Sequence, residues 1–294
     1  MQTKLPFKPI ASNNIILNVW TWNINCIKNK IDKINQLLIL HNIDILCVTE
    51  TKILTKDENI IFDNYTCIWN SNKTSNYHGI VMIYKSHLNI ITVNNILPQY
   101  NFNYDVKLSY NSDIIEKYLP TINKEIIKGH HTEGRILVLK CQLENINLII
   151  CGTYCPNSGV NKNEPLKRLA YRTLAWDKDL YHYLTQLKEE YKNVIWLGDL
   201  NVIINDNDIS KKSNIAGATI EERTNIKEFM IDWIDTWDVK NNIKKCTLRA
   251  TWCGQYPLRL DYVICSKNLN ILSSMVDQTT TCSDHYAMGT KFSL

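Results

Sequence analysis

Short apolar runs that end in polar side chains recur along the chain, and the clearest of them is residues 194–202, VIWLGDLNV. Its apolar start is too short for a helix and predicts a buried strand. Gly198 permits a bend, and Asp199 and Asn201 then stand where apolar residues should continue. Because side chains two apart lie on one face of an extended chain, these two polar groups point to the same side. The pattern fits either a polar turn or a site that compensates the burial of a carboxylate.

A strand–helix–strand unit repeats this pattern near the N-terminus. Residues 14–22 predict a strand that ends at Asn23, and apolar side chains at helical spacing predict an amphipathic helix over 28–41. Residues 43–48 predict a second buried strand, which delivers Glu50 at its end. A single acidic residue after a strand is usually an exposed surface residue. A carboxamide and a carboxylate at the same sheet edge indicate a site instead.

The remaining elements continue in the same manner, and strands outnumber helices. We expect residues 1–13 to be a short flexible lead and residues 14–294 to form a single α/β domain, with two sheets face to face and helices outside. Residues 85–128 fit either a loop-rich insertion or short strands. Further strands are predicted over 65–69, 79–84, 136–141, 146–154, 258–264 and 287–294, and further helices over 166–191 and 220–233.

Composition and charge restrict the class of protein more than its function. With 45% hydrophobic and 21% charged residues, the chain has the balance of a soluble globular protein with a sizeable core. Its net charge of +4 is compatible with a polyanionic partner but does not require one. The ten cysteines lack zinc-ligand spacing, which favours inert thiols in a reducing compartment. Without a membrane span or a signal-peptide pattern, we expect an intracellular protein, with nucleus and cytoplasm both open.

The polar side chains at the predicted strand ends carry oxygen or imidazole groups, with no cysteine among them. Such hard ligands suit Mg²⁺ or Mn²⁺, and sparse carboxylates favour Mg²⁺, which shares its coordination with waters and a substrate phosphate. A carboxylate, with Asp261 the natural candidate, can hold the imidazole of His285 in one tautomer. The set predicts metal-assisted hydrolysis of a phosphodiester. Its members are Asn23, Asn25, Glu50, Tyr154, Asn157, Asp199, Asn201, Asp261, Asp284 and His285.

Seven short motifs occur in a fixed order: TWNIN (21–25), TETK (49–52), EGR (133–135), TYCPNSG (153–159), GDLNV (198–202), RLDY (259–262) and SDH (283–285). In this order they resemble the exonuclease III-type apurinic/apyrimidinic (AP) endonucleases of the endonuclease/exonuclease/phosphatase superfamily. The stretches 166–184 and 216–223 are similar to the repair-endonuclease branch rather than to the superfamily's phosphatases. The resemblance implies a DNase I-like fold, a four-layer α/β sandwich of two mixed β-sheets with helices outside.

The resemblance also implies a metal site. Glu50 would be the principal ligand, with Asn25 and Asp284 assisting directly or through water. Asp199 and Asn201 would complete the surroundings of the metal. Asp199 would activate or orient the attacking water, and Asn201 would hold Asp199 and the substrate phosphate. Mg²⁺ is the expected ion, with Mn²⁺ as a substitute.

Four further residues would act at the scissile phosphate if the resemblance holds. His285, paired with Asp261, would contact the phosphate. Tyr154 would stabilise the transition state or the leaving oxygen. Asn23 would tie the site together through hydrogen bonds.

DNA binding would fall to residues around this centre. Lys28, Lys33, Lys52, Arg135 and Asn157 would contact the DNA, and Lys52 would also lower the negative charge beside the metal. Solvated surface explains the lysines and the arginine equally well, and a turn explains the asparagine. Three apolar residues, which are more often core than pocket, are also assigned to the DNA interface: Trp252, Leu258 and Leu260.

Four positions depart from the family's pattern. Cys26 stands where the family usually has Gly, and Val160 stands where some members place an arginine that reaches into DNA. Ala218 and Leu258 replace larger aromatic residues that usually wall the abasic pocket. The expected consequence is weaker discrimination for abasic sites and more trimming of 3′ ends.

The sequence therefore predicts a Mg²⁺-dependent base-excision-repair enzyme that hydrolyses the phosphodiester 5′ to an abasic site and leaves a 3′-hydroxyl. A 3′→5′ exonuclease or 3′-phosphodiesterase activity could accompany it. The expected partner is double-stranded DNA with abasic sites or blocked 3′ ends, bound by a monomer away from membranes. Two alternatives stay open: a retrotransposon-type nicking endonuclease, and an inactive descendant that binds DNA without cutting it.

Overall fold

The computed structural model describes residues 15–73, 75–100, 113–160, 162–210, 215–241, 250–254 and 256–294. The expected flexible lead, residues 1–13, lies outside the described residues. Within the described ranges, each cysteine is free. No helix in this part of the chain is both long enough and apolar enough to cross a membrane.

Among the described residues, twelve strands build two sheets. They are β1 (Ile16–Asn23), β2 (Ile45–Thr49), β3 (Tyr65–Asn70), β4 (Ile80–Lys85), β5 (Asn89–Asn94), β6 (Ile136–Leu143), β7 (Ile146–Tyr154), β8 (Val194–Asp199), β9 (Trp233–Asp235), β10 (Asp261–Ser266), β11 (Asn270–Asp277) and β12 (Ala287–Ser293). The first sheet has the order β11-β12-β1-β2-β4-β3, and the second has the order β5-β6-β7-β8-β10-β9.

Both sheets are mixed, and each has a parallel pair at its centre. Strands β1 and β2 run parallel in the first sheet, as do β7 and β8 in the second, while their outer neighbours are antiparallel. The predicted α/β architecture of two mixed sheets is therefore confirmed. In each sheet, the chain leaves the two central strands at the same edge, which is where parallel strands deliver their carboxyl-terminal side chains.

In the ranges that the structure describes, six α-helices accompany the sheets: α1 (Ile31–His41), α2 (Asp113–Tyr118), α3 (Ile122–His131), α4 (Asp177–Tyr191), α5 (Ile220–Phe229) and α6 (Thr236–Lys240). Helix α1 buries Ile34, Leu37 and Leu38 in a cluster with first-sheet side chains. Helix α4 buries Leu180 and Leu184 in a second cluster that includes side chains of β7 and β8. The apolar stripes of these helices therefore cover the sheets, as amphipathic helices generally do.

A third cluster fills the space between the sheets. It joins side chains from both inner faces, among them Val19, Cys47, Ile150, Leu197 and Val263. Gly152 of β7 allows the sheets to approach closely, since a Cβ there would overlap the methyl of Met82 and lie 2.7 Å from Cys47 Sγ. The sheets are therefore held face to face by apolar burial, the main driving force of folding.

Several predicted element boundaries were wrong. The helix expected over 166–191 is divided into a π-helical turn, Tyr171–Trp176, and α4. The helix expected over 220–233 ends at Phe229, because Trp233 pairs with Ser266 as part of a strand. Among the described residues of 85–128, β5 is a short strand, as one expectation had it, whereas α2 and the start of α3 are helices that neither expectation included.

Candidate active site

The two parallel strand pairs bring their polar ends together. Strands β1 and β2 are in register at Asn23 and Thr49, and β7 and β8 are in register at Tyr154 and Asp199. Glu50 follows directly after Thr49. The regular strand pattern thus delivers a carboxamide, a phenol and two carboxylates from four different segments.

Gly198 shows why this strand end needs a glycine. Its φ is +145°, and a Cβ there would overlap the carbonyl oxygen of Thr153 in β7. The next residue, Asp199, is only 1% exposed, so it does not belong to an ordinary surface turn. Of the two interpretations of residues 194–202, the compensated buried carboxylate is the one that the structure supports.

Hydrogen bonds join the two sheets at this point. Asn23 Nδ2 donates to Glu50 Oε1 at 3.0 Å and to Asp199 Oδ2 at 2.9 Å. The Tyr154 hydroxyl donates to the same Glu50 oxygen at 2.7 Å. The backbone N–H of Asn201 donates to Asp199 Oδ1 at 2.9 Å. Both carboxylates are therefore held by fixed donors, as a preorganised site requires.

An Asp–His pair lies beside them. Asp261 is opposite Asp199 across the β8–β10 ladder, and its Oδ2 is 2.7 Å from Nδ1 of His285. Ligand atoms of Asp199, Asp261 and His285 all lie within 4.8 Å of one another. The predicted strand over 258–264 begins only at Asp261, because Leu258 pairs with Trp252 instead.

Glu50 has surroundings that favour its ionised form. Burial opposes ionisation, but hydrogen bonds from Lys52, Asn23 and Tyr154 outweigh it and lower the pKa of Glu50 to about 2. The same geometry raises the pKa of Tyr154 well above its ordinary value, through burial and the charge of Glu50. At neutral pH the pair is therefore a carboxylate that accepts a hydrogen bond from a neutral phenol.

The pKa values of Asp199 and His285 are both raised above their ordinary values. Burial and the neighbouring charge of Asp261 raise the pKa of Asp199 to about 7. Burial disfavours the imidazolium of His285, yet the charge and hydrogen bond of Asp261 outweigh it and raise the pKa of His285 to about 9. Near neutral pH this edge combines a readily protonated carboxyl with a charged imidazole, a combination suited to proton transfer.

The Glu50 side of the site already accommodates a cation. The Lys52 ammonium lies 2.8 Å from Glu50 Oε2 and 2.5 Å from Asn25 Oδ1, and Asn25 Nδ2 donates to Asp284 Oδ1 at 3.0 Å. Glu50 and Asn25 thus each offer an oxygen atom to one small region, and Asp284 lies on the nitrogen side of the Asn25 carboxamide. This donor set fits Mg²⁺ or Mn²⁺, which prefer carboxylate and carbonyl oxygens. The cluster of Asp199, Asp261 and His285 is a second place where a metal could bind.

The loops that carry these groups have unusual backbone conformations. Asn25, Cys26, Glu50, Lys52 and Asn201 all have φ between +47° and +81°. Non-glycine residues seldom adopt this left-handed region, at a cost of roughly 1–3 kcal/mol each, and such residues cluster at functional sites. Cys26, with φ of +81°, stands where the resembling family has glycine, so the turn keeps its left-handed form without one.

The expected contact of Arg135 with DNA requires a correction. Its side chain is 2% exposed, and its guanidinium donates to Glu133 at 2.5 Å and to the carbonyl oxygen of Tyr154 at 3.0 Å. It also lies over the Tyr154 ring, 4.8 Å from the centroid, and contacts His78. Arg135 therefore positions Tyr154 and presents no free charge to a ligand.

The other polar residues assigned to DNA are more accessible. Lys28 is exposed and lies 3.2 Å from Asp57, and Lys33 is exposed with its ammonium 3.1 Å from Gln36. Asn157 is half-buried and donates to Asn201 Oδ1 at 3.2 Å, while its own oxygen accepts from a backbone N–H in the same turn. Its direct contacts therefore serve the turn and the site.

The apolar residues assigned to DNA form a small cluster beside the site. Leu258 and Leu260 are buried, 3% and 8% exposed, and Trp252 and Ala218 pack against them while half-buried. Val160 is 79% exposed, close in sequence to Asn157. Leu258 and Leu260 are thus mainly core, and only the half-buried members of the cluster are available to a ligand.

A buried arginine that sequence analysis missed supports two of the site's loops. Arg172, in the π-helical turn, donates to the carbonyl oxygens of Pro156 at 2.7 Å and Leu200 at 2.8 Å, and to Asp177 at 2.7 Å. These carbonyls belong to the loops after β7 and β8. The one sequence signal was the position of this arginine within the apolar part of a predicted helix. Its burial was not predicted because arginine side chains are usually exposed.

The matched family model is the Endonuclease/Exonuclease/phosphatase family, over residues 20–285. A DNA-(apurinic or apyrimidinic site) endonuclease of Dictyostelium discoideum is 30% identical over 292 aligned residues, covering 93% of this chain and 70% of its own length. The seven short motifs and the match over most of the chain therefore indicate the same family.

Solved structures show the same fold. AP endonuclease LMAP from Leishmania major has a TM-score of 0.76 at 19% identity, with 95% of this chain and 88% of that chain covered. The 3′ phosphatase NExo from Neisseria, bound to a product DNA hairpin, has a TM-score of 0.72 at 16% identity, with 95% and 100% covered. The chain therefore belongs to the Endonuclease/Exonuclease/phosphatase family, as a hydrolase of its exonuclease III-type AP endonuclease branch.

Proposed function

We propose that this chain is a Mg²⁺-dependent DNA-repair endonuclease that hydrolyses the phosphodiester 5′ to an abasic site and leaves a 3′-hydroxyl. The observation that carries the proposal is Asn23, which holds the carboxylates of Glu50 and Asp199 beside the Asp261–His285 pair. The name of the Dictyostelium relative, an AP endonuclease, supports the same substrate.

In this proposal Asp199 accepts the proton of the attacking water. Its buried carboxylate, with a pKa raised to about 7, is a better proton acceptor near neutral pH than an exposed aspartate. Asn201 fixes one oxygen of Asp199 through its backbone N–H, and Asn23 fixes the other. The lone pair that takes the proton is thereby directed without rotation of the carboxylate.

His285 would hold the scissile phosphate. With its pKa raised to about 9, the imidazole is protonated at neutral pH, and Nδ1–H donates to Asp261. Nε2–H remains to donate to a phosphoryl oxygen. Tyr154 stays a neutral phenol over the same range of pH. Its single O–H donates to Glu50 Oε1 and would turn from that acceptor to the charge that develops on oxygen.

Glu50, with Asn25 and Asp284, would hold the divalent ion. When bound, this ion supplies positive charge against the negative charge that develops on the phosphate. The protein contributes the fixed oxygens around it, and Lys52 contributes a charge next to them.

We also propose that the pocket discriminates weakly for abasic sites and that 3′ ends are trimmed. The half-buried wall near the site is built from Ala218 and Trp252 over buried Leu258, and the small Ala218 side chain covers less of a bound sugar than a larger aromatic residue would. The likeness to a 3′ phosphatase is compatible with such an activity.

A nicking assay on a duplex with one abasic site tests the primary proposal. The expected result is a nick 5′ to the site in Mg²⁺, abolished by EDTA and by Asp199→Asn. Asp232→Asn, which changes an exposed carboxylate paired with Lys267, is the matched control and should nick normally. A protein that binds the duplex but never nicks it would be the inactive DNA-binding descendant.

A second assay tests the breadth of substrates. Cleavage of a tetrahydrofuran abasic analogue is compared with trimming of a 3′-recessed duplex under the same conditions. We expect comparable rates. A preference of several orders of magnitude for the abasic duplex would refute weak discrimination.

A further inference from the structure

Thr251 makes hydrogen bonds that no role described so far requires. Its buried hydroxyl oxygen accepts two N–H groups, from Leu260 and from Asp261, each at 2.9 Å. In an extended strand successive N–H groups point to opposite sides. Because both reach one oxygen, the chain turns here, and β10 begins at Asp261.

The same residue also holds the segment that carries His285. The carbonyl oxygen of Thr251 accepts the N–H of Tyr286 at 2.7 Å, and the next residue, Trp252, forms a bridge with His285. Thr251 therefore contacts the backbone on both sides of the Asp261–His285 pair, through two different oxygen atoms.

The carboxylate of Asp261 needs such support. Its Oδ2 lies 2.7 Å from His285 Nδ1, whereas its buried Oδ1 has no hydrogen-bond partner among the described residues. A carboxylate held by one hydrogen bond can rotate about it, so its direction depends on where the backbone places Cβ. That placement is set where Thr251 Oγ1 binds the N–H groups of residues 260 and 261.

The geometry points to Thr251 as a positioning residue for the Asp261–His285 pair: its hydroxyl sets the direction of the carboxylate that orients the imidazole. The expected effect on rate rests on the proposed function, in which the Asp261–His285 pair acts at the phosphate. Its effect on the imidazole itself is independent of any substrate.

Two substitutions separate the hydroxyl from the shape of the side chain. Thr251→Val keeps the shape and removes the acceptor, while Thr251→Ser keeps the acceptor and removes a methyl. We expect Thr251→Val to lower kcat on abasic duplex by about ten- to a hundredfold, with KM changed little, because misplacement of a catalytic group by about 1 Å has effects of this size. Thr251→Ser should remain within about threefold of wild type.

A spectroscopic measurement tests the positioning without catalysis. The imidazole Nδ1–H of His285 should give a downfield proton resonance, assigned by its loss in His285→Gln. We expect this resonance to shift or broaden in Thr251→Val and to be retained in Thr251→Ser. An unchanged resonance and unchanged kcat in Thr251→Val would overturn the inference, as would equal losses in both variants.

Hydrogen exchange of the wild-type protein covers the case in which Thr251→Val does not fold. The amides of Leu260 and Asp261 should be protected as strongly as those in the middle of β10, and rapid exchange would overturn the inference. If wild type shows the expected resonance and protection but no nicking, the proposed function fails while the role of Thr251 stands.

Discussion

Glu50 and Asp199 occupy equivalent places in the two sheets. Each lies at the end of the second strand of a central parallel pair, β2 in one sheet and β8 in the other. Glu50 itself has a left-handed backbone conformation, and so does Asn201, two residues after Asp199. Asn23 donates to both carboxylates. The two acids therefore lie at corresponding strand ends and share a hydrogen-bond donor.

Their neighbours differ in charge, and this difference separates their chemistry. Glu50 faces the Lys52 ammonium, and its pKa falls to about 2. Asp199 is buried opposite Asp261, and its pKa rises to about 7. One acid is suited to attract a cation and the other to accept a proton. The comparison shows that strand geometry brings the carboxylates together, whereas burial, hydrogen bonds and neighbouring charges decide what each can do.

The largest expected effect is a loss of turnover in Asp199→Asn, and its independence of the Mg²⁺ concentration distinguishes Asp199 from Glu50. Asp199→Asn should lower turnover of abasic duplex by about 10²–10⁴-fold, the range of general acid–base catalysis, at every Mg²⁺ concentration. Steady-state rates across a Mg²⁺ series measure it. Asp232→Asn is the control. Recovery of Asp199→Asn at high Mg²⁺ would contradict the proposed role.

Glu50→Gln should behave differently, because it removes the charge of the proposed principal ligand. We expect the affinity for Mn²⁺ to fall by at least about 10–100-fold, the loss that even outer-shell changes produce. Electron paramagnetic resonance of free Mn²⁺ gives the affinity directly. Glu164→Gln, at an exposed pair with Lys167, should change nothing. Activity of Glu50→Gln should recover as metal is raised.

Lys52→Met should raise the affinity for the metal ion, whereas Glu50→Gln should lower it. The ammonium lies between two predicted ligands, so its removal leaves Glu50 free to bind a divalent ion. The pair is partly exposed, and solvent screening limits the gain to about 1 kcal/mol, or roughly fivefold tighter binding. The same Mn²⁺ titration measures it, with Lys267→Met as control. Weaker binding in Lys52→Met would show that the lysine supports the metal site.

The smallest effect is a pH dependence of stability in metal-free protein. The pKa of Asp199 is raised from 3.8 to about 7, so the folded state binds the proton more tightly than the unfolded chain. Wild type therefore loses stability from this group as pH rises through about 7, whereas the amide of Asp199→Asn does not titrate. Relative to wild type, the melting temperature of Asp199→Asn should increase by a few degrees between about pH 5 and pH 8.

Differential scanning calorimetry in the presence of a chelator measures this difference. Asp232→Asn, whose carboxylate is exposed, should keep a constant offset from wild type over the same range. A constant offset for Asp199→Asn as well would mean that its carboxyl titrates near the ordinary value.

The central strands and their polar ends were predictable because local pattern fixes them. Residues 43–48 and 194–202 are short apolar runs with abrupt polar ends, and β2 and β8 follow them closely. The pairing of Asp261 with His285 was inferred from the resemblance and from the chemistry of imidazole. The first sheet's edge strand β11 was not predicted, because its apolar side chains are interrupted by two serines and do not alternate regularly with polar ones.

Buried arginines could not be predicted, because their partners are distant in sequence. Arg135 was assigned to DNA, yet Tyr154 and Glu133 enclose it. Arg172 was taken for a helix residue, yet it binds loops after two different strands. Sequence shows a charge but not the carbonyls that surround it in space, and buried charges occur only where such partners exist.

The left-handed turns at the site have a consequence for engineering the chain toward heat tolerance. Residues such as Cys26 and Asn25 hold conformations that glycine adopts without strain, so glycine there would relieve local strain. Glycine at Cys26 would loosen the loop that presents Asn25 to Asp284, and glycine at Asn25 would remove that contact. Heat-resistant variants are therefore better sought on the solvent-facing side of α1, where Ile39 and Leu40 are exposed and contribute little to the core.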